Sequence, residues 1–363
     1  MIYMASFSKL IFLCVFSTAV LAEDPSDWLP PKDGFDWVKL ESGEWLKGKI
    51  KSMYNDSLEF DSDNLDLLKI DWEDIHYLRS AGYGSVNIEG IGPVAGSLEI
   101  DKEMVRVTDN GNVANFSRLN LVSLTPAGDT EFDLWAIDFT LSLNLRQGNT
   151  NQVDYTSRFT AVRRTAKSRL TLDYIGNISK TDAGTEEFVE TINNNRFKMG
   201  WAVYATRYFY YMPIFAEYYR DPFQNIDSRT TAGIGIGYSI IDTPRIEWNV
   251  NGGPAYQNIR YISVEGGQSQ EVDSGALVLG TEYTNEISSI IDYKFSYSIT
   301  SASSELGGYT HHLITGIETE LTSRLDFDVS FLWDRVSQPT KGANGISPEP
   351  DDFRFLVGIN WSV

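Results

Sequence analysis

The amino-acid sequence predicts an all-β protein: an antiparallel transmembrane β-barrel of about twelve strands, preceded by two small SH3- or Sm-like β-modules. Three observations predict it. From Asp133 to Val363, apolar and polar residues alternate in segments of about ten residues, the period-2 pattern of strands with one apolar face. The connectors between those segments alternate between short and longer, an asymmetry expected of barrels with tight turns at one end and loops at the other. The chain ends on Gly358-Ile-Asn-Trp361-Ser-Val363, an alternating segment suited to a closing strand.

The N-terminus reads as an export signal over residues 1–22. Lys9 is its basic region, Leu10 to Val20 its apolar core, and Val20-Leu21-Ala22 precedes a cut between Ala22 and Glu23. The core is shorter than the roughly 18 apolar residues of a spanning helix. Cys14 is the only cysteine. The residue before it is Leu13, where a lipoprotein signal wants Gly, Ala or Ser. A mature chain without Cys14 could form no disulfide and hold no thiolate metal site.

Residues 23–128 differ in pattern from the barrel region. A Pro-rich lead from Pro25 to Pro31 gives way to short strands at Trp37–Leu40, Trp45–Met53, Ser57–Phe60, Leu67–Asp71 and Ile75–Leu78, with turns at Ser42-Gly43 and Asn55-Asp56. The unit occurs twice, at about 37–80 and 85–126. Val38-Lys-Leu-Glu41 matches Val86-Asn-Ile-Glu89, Leu58-Glu-Phe60 matches Val105-Arg-Val107, and Ile75-His-Tyr-Leu78 matches Leu121-Val-Ser-Leu124. The offset shrinks from 48 to 46 residues, as expected if only turns lost residues. Trp45 and Trp72 are expected in the cores of these modules. Asp61-Ser-Asp63-Asn64-Leu-Asp66 invites a calcium reading, but it lacks the central Gly and the twelfth-position Glu of a calcium loop. An acidic solvated turn is the expectation.

The barrel, 131–363, follows strand by strand. Trp135, Ile137, Phe139, Leu141, Leu143 and Leu145 face one way. Further outward series include Leu170 to Ile178, Phe197 to Val203, Ile234 to Ile240, Leu277 to Tyr283, Phe327 to Trp333 and Phe353 to Val363. A charge on a lipid-facing position near mid-membrane costs roughly 2–4 kcal/mol, so the polar series must point into the lumen. That places Arg158, Arg169, Arg196, Lys198 and Lys294 opposite Asp138, Asp173, Glu247, Glu318, Glu320, Asp326 and Asp328. Such a lumen is either salt-bridged and closed or a narrow aqueous path. A soluble β-sandwich shares the alternation, but the export signal, the connector asymmetry and the terminal strand weigh against it. An even strand count leaves both barrel ends on the periplasmic side, and with them the N-terminal modules.

Composition is compatible with this. Mean hydropathy is -0.24, because half of each barrel strand faces a polar lumen. Aromatic residues make up 13%, which suits interfacial girdles. A net charge of -20, or -21 once Lys9 leaves with the signal, disfavours nucleic-acid partners. A basic turn at Arg163-Arg164, with Lys167 and Arg169, could dock the acidic modules beneath the barrel. No cofactor is expected. Catalysis is not expected either: a nucleophilic site needs a Ser–His arrangement, and His312 is followed by Leu313-Ile314-Thr315 rather than by a phospholipase-like Ser-Asn-Gly. His311 and His312 are adjacent in a strand and so point to opposite faces.

Three stretches together carry a family resemblance: Leu40-Glu-Ser-Gly-Glu-Trp-Leu-Lys-Gly48, Leu67-Leu-Lys-Ile-Asp-Trp72 and Gly358-Ile-Asn-Trp-Ser-Val363. They resemble the YdiY-like family described as salt-induced outer-membrane proteins, a domain of unknown function, over most of the mature chain. The resemblance implies an outer-membrane location in a Gram-negative bacterium, with lipid and lipopolysaccharide around the barrel. It supplies no catalytic residues. The ending, Gly358, Trp361 and Val363, is similar to the signal that barrel-assembly machinery recognises, with Val363 in place of the usual Phe. Two functions fit: a passive or gated pore, or envelope protein under osmotic stress, and a closed-lumen scaffold whose modules bind a periplasmic partner.

Overall fold

In the computed structural model, residues 29–363 are described except 55, 127–130, 147–150, 183–187, 244, 289, 323–324 and 363. The expected export signal, its cleavage point at Ala22–Glu23, and Val363 lie outside the described residues. Residues 34–363 form one compact unit.

The first region is a nine-stranded antiparallel sheet built on the expected repeat. Its first half runs β1 (Asp36–Leu40), β2 (Trp45–Tyr54), β3 (Ser57–Ser62), β4 (Asp66–Asp71), a 3-10 turn at Trp72–Asp74, and the start of β5 (Ile75–Ile88). The second half runs from the end of β5 through β6 (Gly92–Ile100), β7 (Met104–Asp109), β8 (Asn112–Ser117) and a 3-10 turn at Arg118–Asn120 to β9 (Leu121–Pro126). The two copies are fused. The boundary expected between 80 and 85 lies inside β5, which pairs with β1 through Ile75–Arg79 and with β9 through Gly84–Ile88. One apolar core serves both copies, with Val38, Leu58, Phe60 and Leu78 from the first packed with Val86, Leu98, Val107 and Leu124 from the second. A copy of about 40 residues is too small to be stable alone, and sharing a core removes that weakness.

The duplicated 3-10 turns meet. Trp72 of the first lies under the Arg118 guanidinium of the second, 4.3 Å from carbon to ring centre. Arg118 donates to the carbonyls of Trp72, Ile75 and Asp101. Burial lowers its pKa from the ordinary arginine value, but three acceptors hold the charge in place. Trp72 is core, as expected, whereas Trp45 is half-buried and packs edge-on against Trp37 and Tyr77. In the acidic turn, Asp61 and Asp63 pair with Lys51 and Lys47 at 3.2 and 3.7 Å. Gly48 is required by close approach, since a Cβ there would overlap the backbone of Asp61 on β3.

The second region is a closed antiparallel barrel of twelve strands. They are β10 (Trp135–Arg146), β11 (Asn151–Thr165), β12 (Ser168–Asp182), β13 (Val189–Tyr204), β14 (Phe209–Asp221), β15 (Ile226–Asp242), β16 (Ile246–Tyr261), β17 (Glu271–Ser288), β18 (Ile291–Ser301), β19 (Tyr309–Thr322), β20 (Leu325–Val336) and β21 (Asp351–Ser362). The closing strand β21 pairs with β20 and returns to β10 through Gly358–Ser362. Gly358 faces Ser142 in the lumen and Trp361 faces outward.

The outward series are exposed and apolar: Ile234 is 62% exposed, Ile236 58% and Phe355 68%. Exposed aromatics lie toward both ends, with Trp201, Tyr211, Tyr238 and Trp361 near the short connectors and Tyr155, Tyr218, Tyr256 and Phe353 near the longer ones. Val203, expected outward with Trp201, is instead buried beside a register shift between Trp201 and Val203. β12 continues to Asp182 and β13 begins at Val189.

Candidate functional site

Alternation puts the polar residues of all twelve strands into the lumen, and cross-strand register sets their heights. Arg196 on β13 is the central one. Its Nη2 lies 2.6 Å from Asp334 Oδ1 on β20, and its Nη1 donates to Glu217 Oε2 on β14 at 3.0 Å. In the closed ring β19 stands six strands from β13, diametrically opposite, and β20 is its neighbour. The Arg196–Asp334 bridge therefore spans the lumen.

Other groups complete the bridge. His312 on β19 places Nδ1 2.7 Å from Asp334 Oδ1, with the ring N–H donating to the carboxylate. Arg354 on β21 donates to Asp334 Oδ2 and, at 3.1 Å, to Asn194 Oδ1 on β13. Arg229 on β15 stands 3.8 Å from Glu217. The guanidiniums of Arg196 and Arg229 both lie against the Tyr219 ring, at 4.4 and 4.7 Å. Arg196 is 5% exposed and Asp334 4%. Buried charges persist only when paired and hydrogen-bonded, and here each carboxylate meets at least two cations.

The bridge lies toward the longer connectors. At that end, four loops bind one another. Asn225 donates to the carbonyl of Ser263 at 2.8 Å, the Gln338 N–H to Gly307 at 3.0 Å, and Tyr261 Oη to Glu305 at 2.8 Å. Leu306 is fully buried among Tyr219, Ile226, Ile259 and Tyr261.

Toward the short connectors the lumen opens into a chamber of about 310 Å³, lined by Arg164, Arg169, Asp173, Lys198, Glu217 and Glu282 together with Tyr210, Met212 and Phe215. Tyr210 lies flat over Gly237, where a Cβ would overlap its ring. The first region seats on this end. Val122 and Tyr54 pack with Tyr204, Tyr210 and Met212. Tyr54 Oη donates to the carbonyl of Thr165, which ends β11, and Ser123 Oγ to that of Ala166 in the β11–β12 turn. Arg207, in the β13–β14 connector, donates to Leu121 O at 2.9 Å and Arg118 O at 3.3 Å. Its Nη1 lies 2.9 Å from Asp56, an ion contact without hydrogen-bond alignment. Burial raises the Asp56 carboxyl above its ordinary value, and Arg207 opposes that. Burial also raises the Tyr54 phenol, so it stays a neutral donor. Of the basic turn residues, Arg164 meets Glu59 of the first region at 3.5 Å and Arg163 pairs with Glu131.

The expected lumen charges divide. Lys294 and Glu318 pair at 2.7 Å. Asp173 accepts from Thr160 and Asp328 from Ser330. Arg158 and Asp138 face inward by register, level with Thr140 and Thr160. Arg169, Lys198 and Glu247 line space at the short-connector end. Arg196 does not pair with any acid singled out in the sequence. Its partners are Glu217 and Asp334, which sequence reasoning missed, although the outward series ending at Trp333 already puts Asp334 in the lumen. Arg354 and Arg229 obey the same alternation. His311 and His312 do point apart: His311 stacks on Trp333, 5.6 Å between ring centres, while His312 joins the bridge.

A family model described as a protein of unknown function, DUF481, matches residues 139–362, the greater part of the chain. No curated relative matches the chain. Among solved structures, the porin NanC is similar at 9% identity and a TM-score of 0.38, over 63% of this chain and 100% of that one. The outer membrane channel DcaP of Acinetobacter baumannii is similar at 12% and 0.30, over 91% and 94%. OmpT of Vibrio cholerae is similar at 10% and 0.24, over 79% and 97%. At these scores none carries an argument about this chain, and the barrel rests on its own strand pairing.

Proposed function

The chain belongs to DUF481, a family of proteins of unknown function, and from its own geometry we propose that it is an outer-membrane barrel enclosing a closed chamber that opens only conditionally. The apolar outer face supports the membrane reading, because exposed Ile234, Ile236 and Phe355 would be a liability in water. The Arg196–Asp334 bridge carries the closed-chamber reading, because it joins opposite walls. Short connectors and the N-terminal region then face the periplasm, and lipid and lipopolysaccharide surround the strands. The closing strand with Gly358 and Trp361 would be the part that barrel-assembly machinery engages. The resemblance to salt-induced proteins supports opening as an envelope response to osmotic stress. Nothing in this reading calls for catalysis.

Accessibility tests it. Ser296 lines the chamber, and a mature chain without Cys14 would carry no competing thiol. A membrane-impermeant maleimide should leave Ser296→Cys unlabelled in intact cells and label it once the outer membrane is permeabilised. Labelling in intact cells would overturn the closed outer end.

A second reading, a scaffold whose N-terminal region binds an envelope partner, is favoured by the two edge strands of that region. β4 and β8 end the sheet path and expose Leu67 and Val113, an arrangement open to strand addition. Retention of a periplasmic protein by the full chain, lost on Leu67→Lys, would favour it.

A further inference from the structure

The chamber contains charges that the bridge does not absorb. Among the described residues, six charged side chains line it: Arg164, Arg169, Asp173, Lys198, Glu217 and Glu282. Arg164 meets Glu59 at 3.5 Å, Asp173 accepts from Thr160, and Lys198 sits 4.0 Å from Glu217, which Arg196 also holds. Among the described residues, no side-chain hydrogen bond or ion pair within 4 Å engages Arg169 or Glu282. Both face the lumen. Arg169 stands directly across the ladder from Arg164, and Glu282 stands across from Asn249 and Ser296. Like charges directly opposed on one face of a sheet destabilise it. The module's Glu59 relieves Arg164 but leaves Arg169. On the facing wall, Glu282 on β17 attracts Arg169 and Lys198 only across the chamber, beyond ion-pair distance. The strands carrying the two, β12 and β17, stand five apart in a ring of twelve, nearly opposite.

We propose that this chamber binds a small zwitterion of amino-acid to dipeptide size, with its carboxylate on Arg169 and its ammonium group on Glu282. The inference rests on the chamber reading above and adds the ligand class. A simple anion would satisfy Arg169 and leave Glu282 repelled, and a simple cation would do the reverse. Only a ligand carrying both charges pairs both walls at once. The guanidinium fork suits a carboxylate, and an ammonium group suits a single carboxylate oxygen. Met212, Phe215 and Val278 in the same lining offer apolar contact to short side chains between the charged ends. The volume, about 310 Å³, falls at the small end of the roughly 300–1,000 Å³ of ligand sites. The chamber borders the N-terminal region. A smaller space of about 110 Å³ there is lined by Tyr54, Glu59, Lys69 and Glu247, and it shares Arg164 and Arg169 with the chamber.

The test is equilibrium dialysis of radiolabelled alanyl-alanine against the full-length protein in detergent, beside N-acetyl-alanyl-alanine and alanyl-alaninamide. Saturable binding of the zwitterion is expected, with each capped form weaker by about tenfold or more, the loss of one charge-assisted contact. Arg169→Gln should abolish the difference between alanyl-alanine and its amide. Glu282→Gln should abolish the difference between alanyl-alanine and its acetylated form. Heat-modifiable migration on a gel checks that each variant is folded, and the three probes on the unaltered protein decide the matter even if a variant is not. Equal binding of all three probes, or none by any, would overturn the site. A protein that binds the zwitterion yet labels from outside at Ser296→Cys would keep the site and lose the closed chamber. The reverse pattern would keep the chamber and lose the site.

Discussion

The two halves of this chain use the same alternation to opposite ends. In the N-terminal region, the apolar residues of each strand point inward: Val38, Phe60, Val86 and Leu124 are wholly buried, and most charged residues face water, Arg79 and Arg118 excepted. In the barrel, the apolar residues point outward, with Ile234 and Ile236 exposed, and Arg196, Asp334 and His312 buried. Period-2 patterning says that a strand has two faces. It does not say which face is the inside of the fold. Strand length and closure decide that. Barrel strands run to 18 residues, as β17 does, and close on themselves, leaving a lumen for polar side chains. Those of the first region are mostly five to ten residues, and they pack on a dry core.

Substitutions can break this contrast. The largest effect is expected at Phe60, wholly buried in the shared core. Phe60→Ala should destabilise the first region by about 3–5 kcal/mol and lower its melting transition in calorimetry, leaving the barrel transition in place. Next is Ile236→Lys, a charge on the outward face. It should destabilise the membrane-inserted barrel by roughly 2–4 kcal/mol, seen as loss of the heat-modifiable form. The same chemistry at Leu119, an exposed leucine of the first region, should leave stability within about 0.5 kcal/mol. Equal effects of lysine at Ile236 and Leu119 would erase the distinction between the halves. A smaller effect is expected where the halves meet. Arg207→Ala removes the donor to Leu121 and Arg118 and should weaken the seam by about 1–3 kcal/mol. Limited proteolysis should then cut faster between the two regions, with the barrel itself unchanged.

Much of this was legible in the sequence, and the reasons are specific. Twelve strands were countable because outward residues such as Leu277 and Leu279 repeat without interruption. The repeat was legible because Val38 and Val86 occupy equivalent places in one core. Its fusion through β5 was not, because a strand shared by two copies reads the same as two strands with a short turn. The lumen residues Arg196 and Asp328 followed from alternation. The Arg196–Asp334 pairing did not, because the partners lie 138 positions apart and meet only when the ring closes. The seam was half legible: the basic turn at Arg163–Arg169 was visible by charge, whereas Tyr54, Val122 and Arg207 act through shape and carbonyl acceptors that composition does not mark.

The central claim is that a bridge from β13 to β20 closes the lumen. Single-channel conductance in planar bilayers tests it most directly, comparing the unaltered protein with Asp334→Ala, each shown to be folded by heat-modifiable migration. The account predicts a silent unaltered protein and discrete conductance steps from Asp334→Ala. Equal steady conductance from both, or silence from a folded Asp334→Ala, would contradict it.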